Sequence, residues 1–134
     1  HLTQDPYTGT PNHQVLLQVA FGDHQVANVA TEVEARTIGA RVVTPVLAPG
    51  RAPDVRPYWG VTPLASFPFR GSAVVMFDSG APAPPTTNVP PRDGSDPHSD
   101  PRADPDAIRQ IVAFVDTGLV IDVCGGAPCT AEPR

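Results

Sequence analysis

The pattern of apolar residues predicts a buried strand followed by a helix in the first third of the chain. Residues 15–21 form an almost continuous apolar run that is interrupted only by Gln18. Such a run is typical of a strand that is buried on both faces of a parallel sheet. The period then changes from 2 to 3.6, and one stripe contains Val26, Val29, Ala30, Val33 and Ile38. Gly39 is a natural end for this helix, so the alternation predicts an α/β fold.

A second strand and helix are predicted in the second half. Residues 72–77 form another buried apolar run, which ends at Asp78. Asp104 is a suitable N-cap and Pro105 suits the first helical position. The predicted helix carries an apolar stripe of Ile108, Ile111, Val112 and Val115, and Gly118 ends it. Residues 119–123 are expected to add an edge strand or a packed tail.

Proline-rich segments interrupt these elements. The chain contains 18 prolines among 134 residues, roughly twice or more the average usage of about 5%. They concentrate in two excursions, 48–71 and 81–104, on a single partial domain that covers 1–134. The first excursion carries Tyr58, Trp59, Phe67 and Phe69, which predicts either a loop packed on the domain or one wall of a pocket. Between the first helix and this excursion, Pro45 limits residues 41–47 to an edge strand or an extended connector.

Charge and hydropathy exclude two classes of partner. The formal net charge is −5 and the pI is near 5.1, whereas proteins that bind nucleic acid carry basic patches to neutralise phosphates. No run of about 18 apolar residues occurs, so no membrane span is predicted. We therefore expect no nucleic acid and no membrane span.

The two cysteines, Cys124 and Cys129, lie close together near the end of the sequence. Gly125 and Gly126 let the short loop between them turn back, so a disulfide is predicted over two unpaired thiols. A disulfide would indicate a secreted or periplasmic protein. The spacing is a poor zinc signature. His1 is not a natural start, which suggests a processed or excised piece.

Candidate chemistry lies where the predicted strands end, because open parallel sheets place their ligands and reacting groups at the C-terminal ends of strands. Asp23 follows the first strand and Asp78 follows the second, so the two carboxylates compete for a functional role. His98 lies in the second excursion, just before the last helix. Histidine titrates near neutrality, and a carboxylate on Nδ1 would fix its tautomer. We expect Asp23 and His98 to meet at one edge of the sheet as the acid and base of a Ser-His-Asp triad.

At these residues the chain resembles the C-terminal portion of the α/β-hydrolase family, in particular its esterase and lipase-like members. The matching sequences are VAFGDHQVAN around Asp23 and DPHSDPRADPDAIRQIVAFVDTG around His98. The resemblance implies a mostly parallel sheet with flanking helices, with the catalytic acid after the seventh strand and the histidine after the eighth. Ala27 stands where the family usually has proline, and the interval from Asp23 to His98 is longer than in compact members.

The nucleophile elbow of that family, G-x-S-x-G, does not occur in this sequence. The serines are Ser66, Ser72, Ser79, Ser95 and Ser99, and none has glycines at that spacing. The resemblance then implies a fragment or smaller subunit of a serine hydrolase, inactive alone. It would supply Asp23 and His98 to a serine on the N-terminal part of the enzyme, for the hydrolysis of a small ester without a cofactor.

Two other interpretations remain open. The chain is alternatively a non-catalytic α/β binding or structural module that uses the aromatic residues of 58–69 as a partner surface.

In addition, Asp93, Asp96, Asp100 and Asp104 have the oxygen ligands that a hard cation such as calcium prefers. Their spacing does not match the 12-residue EF-hand loop, so a turn-rich acidic loop is favoured and no metal site is expected.

Overall fold

The computed structural model describes residues 2–87 and 89–134, which form an α/β structure. Its elements are β1 (Leu16–Ala20), α1 (Asn28–Ile38), β2 (Arg41–Val42), β3 (Phe69–Arg70), β4 (Ala73–Asp78), α2 (Asp100–Ala103), α3 (Pro105–Thr117), β5 (Leu119–Val120) and β6 (Cys129–Thr130). A short 3₁₀ turn, Pro97–Ser99, precedes α2. The predicted order of strand, helix, strand and helix is therefore confirmed.

The main sheet is parallel, and β4 lies at its centre. Strand β1 pairs with β4 from Leu16 opposite Ala73 to Ala20 opposite Phe77, and β2 pairs with the other side of β4. Strand β6 extends the sheet beside the end of β4. Because parallel strands share one C-terminal edge, residues that follow β1 and β4 emerge on the same side of the domain.

One helix packs on each face of the sheet. Side chains of β4 alternate between two apolar cores, as the pleat requires. Val74 and Met76 join Ala35 and Ile38 of α1 in one core. Ala73, Val75 and Phe77 join Ala107 of α3 and Val120 of β5 in the other.

The apolar stripes of the two long helices do not face the sheet, although such a stripe usually faces the core. Val29 and Val115 are 63% and 74% exposed, and the rest of both stripes is also at the surface except Ile38. The sheet is contacted instead by small or hydrogen-bonded side chains, among them Ala35, Ala107 and Gln110. These side chains let the helices approach the sheet closely, and the bulkier stripe stays outside. Among the described residues, no helix has the length and apolar character needed to cross a bilayer.

Gln18, the one polar residue in the first apolar run, ties β1 to α3. Its Nε2 donates to the Ala107 carbonyl at 2.9 Å and to Gln110 Oε1 at 3.0 Å. Gln110 Nε2 in turn donates to the Ile121 carbonyl at 3.1 Å. Since a buried amide needs its hydrogen bonds satisfied, this network explains why two glutamines are tolerated between the helix and the sheet.

The helix ends follow the predicted chemistry. The Asp104 carboxylate accepts from the N–H groups of Asp106 and Ala107 at the start of α3. Gly39 and Gly118 adopt left-handed conformations at the ends of α1 and α3, with φ of 68° and 69°. These three residues therefore fix the helix boundaries as the sequence indicated.

The short strands and the disulfide connect the remaining segments to the main sheet and helices. Strand β2 stops before Pro45, at the sheet edge opposite β1, as predicted for an edge strand. Residues 69–70 of the first excursion form β3, which pairs with β5 in a separate antiparallel ribbon, so the residues after α3 do form an edge strand. Cys124 and Cys129 form the predicted disulfide, with Cα atoms 5.2 Å apart.

Candidate functional site

Asp23 and His98 lie in direct contact beyond the C-terminal end of β1. His98 Nδ1 is 2.8 Å from Asp23 Oδ2, although 75 residues separate the two in sequence. Asp23 is only 5% exposed. Its other oxygen, Oδ1, accepts from the N–H groups of Gln25 and Val26 at 2.7 and 2.9 Å. The carboxylate is therefore fully engaged and fixed in orientation, with one oxygen for the backbone and one for the imidazole.

Two residues hold the turn that carries Asp23: Gly22, which directly precedes it, and Asn28, at the start of α1. Gly22 has a φ of +83°, and a Cβ there would lie 2.5 Å from the Pro82 carbonyl oxygen, so only glycine fits without displacement. The buried Asn28 accepts from the Gly22 N–H at 2.9 Å and donates to the Ala20 carbonyl at 2.8 Å. This amide thereby joins the end of β1 to the start of α1 and holds the Asp23 turn between them.

Asp96 joins the loop of Asp23 to the loop of His98. Its Oδ1 accepts from the N–H groups of His98 and His24 at 3.0 and 3.2 Å, and its Oδ2 accepts from Gln25 Nε2 at 2.8 Å. Desolvation by itself raises the pKa of Asp96, but the hydrogen bonds from Gln25, His98 and His24 outweigh it and lower that pKa. The sequence indicated Asp96 only as one carboxylate of an acidic loop, whereas its contacts make it a positioning residue for His98.

Arg102 contacts the other side of the imidazole. Its Nη2 lies 2.8 Å from His98 Nε2. A guanidinium group only donates hydrogen bonds, so Nε2 must be the acceptor, and the proton of the neutral ring is on Nδ1, where Asp23 accepts it. His98 is thus held in the tautomer that a general base requires. No sequence motif pointed to Arg102, but its position four residues after His98 places it on the following helical turn.

The dyad of Asp23 and His98 lines a cavity of about 460 Å³ beside β1. Gln18, Val19 and Ala20 of β1 form one wall, and the other walls contain Ile111 and Phe114 of α3. None of the described residues that line this cavity is a serine or a cysteine. The site therefore has an oriented acid and base, and among the described lining residues the one side chain with a hydroxyl group is that of the buried Thr31.

Asp78, the competing carboxylate, forms a different kind of contact. Arg51 Nε and Nη2 donate to its two oxygens at 2.6 Å each, and Nη2 also donates to the Ala81 carbonyl. Burial by itself raises the pKa of Asp78, but hydrogen bonds from Arg51 and the Gly80 N–H, with the charge of Arg51, lower it. The Arg51 guanidinium lies 4.9 Å from the ring centre of Phe21. Asp78 thus anchors the first excursion to the sheet.

The acidic loop does not form a metal site in the described structure. Among residues 2–87 and 89–134, no group of three or more His, Cys, Asp or Glu side chains is placed to hold a metal ion. Three of its carboxylates instead accept backbone hydrogen bonds: Asp96 from His98, Asp100 from Arg134, and Asp104 from the start of α3. Asp96 and Asp104 thus act as turn and cap formers, and Asp100 holds the backbone of Arg134.

Known proteins give no further guide to the role of this site. Comparison of the chain with protein-family models, with curated proteins and with solved structures found no match. The chemistry of the Asp23 and His98 pair therefore has to be argued from its own geometry.

Proposed function

We propose that this chain supplies the acid and base of a Ser-His-Asp triad for the hydrolysis of carboxylic esters, with the serine on an upstream segment of the same enzyme. One observation carries the proposal: His98 contacts the buried carboxylate of Asp23 through Nδ1 while its Nε2 is an acceptor at the cavity beside β1. An imidazole held in this way has the geometry of a general base.

In the proposed reaction, His98 Nε2 removes the proton from the serine hydroxyl as its oxygen attacks the ester carbonyl. The Asp23 carboxylate stabilises the imidazolium that forms. Protonated Nε2 then donates to the departing alcohol, leaving an acyl-serine. Water, deprotonated by the same nitrogen, attacks this intermediate, and Nε2 returns the proton to the serine oxygen as the bond to the acyl group breaks and the acid is released.

Arg102 must leave Nε2 for the serine to bind there. The contact between Arg102 and His98 is solvent-exposed. Exposed contacts of this kind contribute little to stability, so its loss costs little when a serine hydroxyl replaces the guanidinium. Arg102 also lines the cavity, so it would remain beside the dyad after this contact is lost.

We propose that the upstream segment packs beside β1. This strand pairs with β4 on one side and with no described strand on the other. The exposed side chains of Val26, which precedes α1, and of Ile111 and Val115 on α3 line the cavity beside this strand. A parallel strand added to β1 would satisfy its free backbone groups, cover these exposed side chains and end at the edge that carries His98.

The test is ester hydrolysis by the full-length or reassembled protein, with p-nitrophenyl acetate and butyrate as substrates. His98→Ala should reduce kcat by roughly 10³-fold or more, as expected when the base of a triad is removed. The matched control is His13→Ala, since this histidine is exposed and does not line the cavity. A His98→Ala protein that keeps near wild-type turnover would refute the proposal.

A second candidate function is that of a binding module that uses the first excursion. Trp59 is 69% exposed in that excursion, whereas Tyr58 is buried and Phe67 and Phe69 pack against the core. Trp59 is therefore the aromatic residue of this group that is most available to a partner. A chain that forms no complex with the upstream segment but binds another molecule through Trp59 would favour this candidate.

For localisation, we propose a secreted or periplasmic enzyme, because the Cys124–Cys129 disulfide persists in oxidising compartments. Thiol titration of the native protein under denaturing conditions should detect no free cysteine. Two free thiols in freshly isolated material would contradict this localisation.

A further inference from the structure

A second and larger cavity lies away from the dyad, between α1, residues 52–59 of the first excursion, and residues 84–87 and 89–91 of the second excursion. Its volume is about 1120 Å³. The dyad lines the smaller cavity beside β1, whereas this one is lined by Phe21 and Met76 and by the α1 residues Val29, Glu32 and Arg36. It is large enough for a small organic molecule.

Exposed apolar side chains converge on this cavity. Val29, Val55 and Trp59 line it and are 63%, 98% and 69% exposed. Single apolar residues are common at protein surfaces, but a group of them around one concave surface marks a binding site. The lining therefore favours a ligand with a substantial apolar part.

Tyr58 supplies an unsatisfied polar group in the same lining. Its side chain is 2% exposed, and its buried hydroxyl has no hydrogen-bond partner among the described residues. Buried hydroxyls without partners are rare and call for an explanation such as a ligand. Tyr58 also has a positive φ of 58°, which is uncommon for a bulky residue and is often found where a site imposes a backbone conformation.

The charges around Tyr58 select the kind of ligand. Burial, and next the negative charge of Glu32, raise the pKa of Tyr58, so the phenol stays protonated and acts as a hydrogen-bond donor at neutral pH. Burial likewise raises the pKa of Glu32, and Asp54 adds to this while Arg36 opposes it. Arg36 is already engaged by Glu32 at 3.6 Å and by the Trp59 carbonyl at 2.9 Å. Arg56 also lines the cavity, but the charge that acts on the Tyr58 hydroxyl is that of Glu32. At this hydroxyl an anionic group is therefore disfavoured, and a neutral group that accepts from Tyr58 is favoured.

We propose that this cavity binds a neutral apolar alcohol, with its hydroxyl bonded to Tyr58 and its hydrocarbon chain packed against Trp59 and Val29. An alcohol both accepts and donates, so the same hydroxyl satisfies Tyr58 and can donate to Glu32. The Tyr58 hydroxyl is buried, so the proposal requires the turn that carries Tyr58 to shift enough to admit the ligand. The site is independent of Asp23 and His98 and of the proposed hydrolysis.

Trp59 is the only tryptophan in the chain, so intrinsic fluorescence reports this cavity alone. Titration of the chain with octan-1-ol should give a saturable change in Trp59 emission. Octanoate, which has the same chain length and a negative charge, should bind at least about tenfold more weakly. The absence of a saturable change with octan-1-ol, or equal affinity for the two ligands, would overturn the proposal.

Substitutions then test the polar contacts. Tyr58→Phe should weaken octan-1-ol binding about fivefold or more, as expected for the loss of one hydrogen bond. The matched control Tyr7→Phe alters the other tyrosine, which is exposed, and should leave the affinity unchanged. Equal affinities of the two variants would refute the role of Tyr58. Glu32→Gln keeps the shape of the side chain and removes its charge. It should reduce the ratio of the affinities for octan-1-ol and octanoate at least about threefold. An unchanged affinity ratio would contradict the charge argument.

Discussion

Asp23 and Asp78 occupy similar positions and have different partners. Each follows or ends a parallel strand of the same sheet, β1 or β4, and each emerges at the same edge. Asp23 contacts a histidine, which exchanges protons near neutrality, whereas Asp78 contacts an arginine, which does not. The strand end therefore provides the location, and the partner distinguishes a carboxylate proposed to act in catalysis from one that serves as an anchor.

The largest expected difference between the two carboxylates is in turnover. In the full-length or reassembled enzyme, Asp23→Asn should reduce kcat by roughly 10³- to 10⁴-fold, because an amide at this position favours the wrong tautomer of the histidine. Asp78→Asn should leave kcat within about tenfold of wild type, since its partner is structural. Steady-state hydrolysis of p-nitrophenyl butyrate measures both, and similar losses in the two variants would remove the distinction.

The role of Asp78 as an anchor should appear in stability. Asp78→Ala leaves the Arg51 guanidinium without its carboxylate, and partial exposure of the arginine reduces the cost from that of a fully buried pair. We expect a loss of about 1–3 kcal/mol in the free energy of unfolding. Urea denaturation of the isolated chain measures it, with the exposed Asp93→Ala as control. A loss no greater than that of Asp93→Ala would show that Asp78 is not an anchor.

Gly22 tests whether the position of Asp23 depends on the close approach of Pro82. Gly22→Ala places a methyl group against the Pro82 carbonyl and strains a positive φ, so we expect about 1–3 kcal/mol of destabilisation. Gly80→Ala is the matched control, because it also has a positive φ but its Cβ would meet nothing within 4 Å. Thermal unfolding of the two variants should differ, and equal midpoints would contradict the steric argument.

Asp96 should affect the dyad without touching a reacting atom. Asp96→Ala removes the acceptor shared by the N–H groups of His98 and His24, and we expect about a tenfold loss of kcat with little change in KM. Asp96→Asn retains an acceptor oxygen and should recover part of the rate. If neither variant changes kcat, Asp96 does not position His98.

The smallest expected effect is on the loss of stability at acidic pH. The folded pKa of Asp78 is lowered, so its contribution to stability is complete above the unfolded value near 3.8 and is lost as pH falls through the folded value. Urea unfolding at pH 7 and pH 3 should therefore show a smaller acid-induced loss in Asp78→Asn than in wild type. An equal loss in both proteins would show that Asp78 does not contribute to acid sensitivity.

Much of this arrangement could be predicted from residues with local signals. The strands, the helix caps at Asp104, Gly39 and Gly118, and the disulfide depend on short-range chemistry, and all are confirmed. The meeting of Asp23 and His98 followed from the rule that parallel strands share one edge. Their catalytic role stays a prediction.

Other features depend on long-range contacts that the sequence does not express. Helical periodicity identifies which side chains share a face, but not which face meets the sheet, so the exposed stripe of α3 was not anticipated. Asp96 and Asn28 each form hydrogen bonds with backbone groups near the end of β1. A single sequence does not show which backbone groups a polar side chain will contact. Arg102 becomes informative only when the orientation of the imidazole is known.

The central claim is that Asp23 and His98 activate a serine outside this chain. Its most direct test is labelling of the full-length or reassembled protein with a fluorophosphonate probe, followed by mass spectrometry of the modified peptide. We predict one modified serine, on the upstream segment, with labelling that falls by at least about 100-fold in His98→Ala. Labelling of a serine within the 134 residues of this chain, or labelling of the upstream serine at an unchanged rate in His98→Ala, would contradict the account.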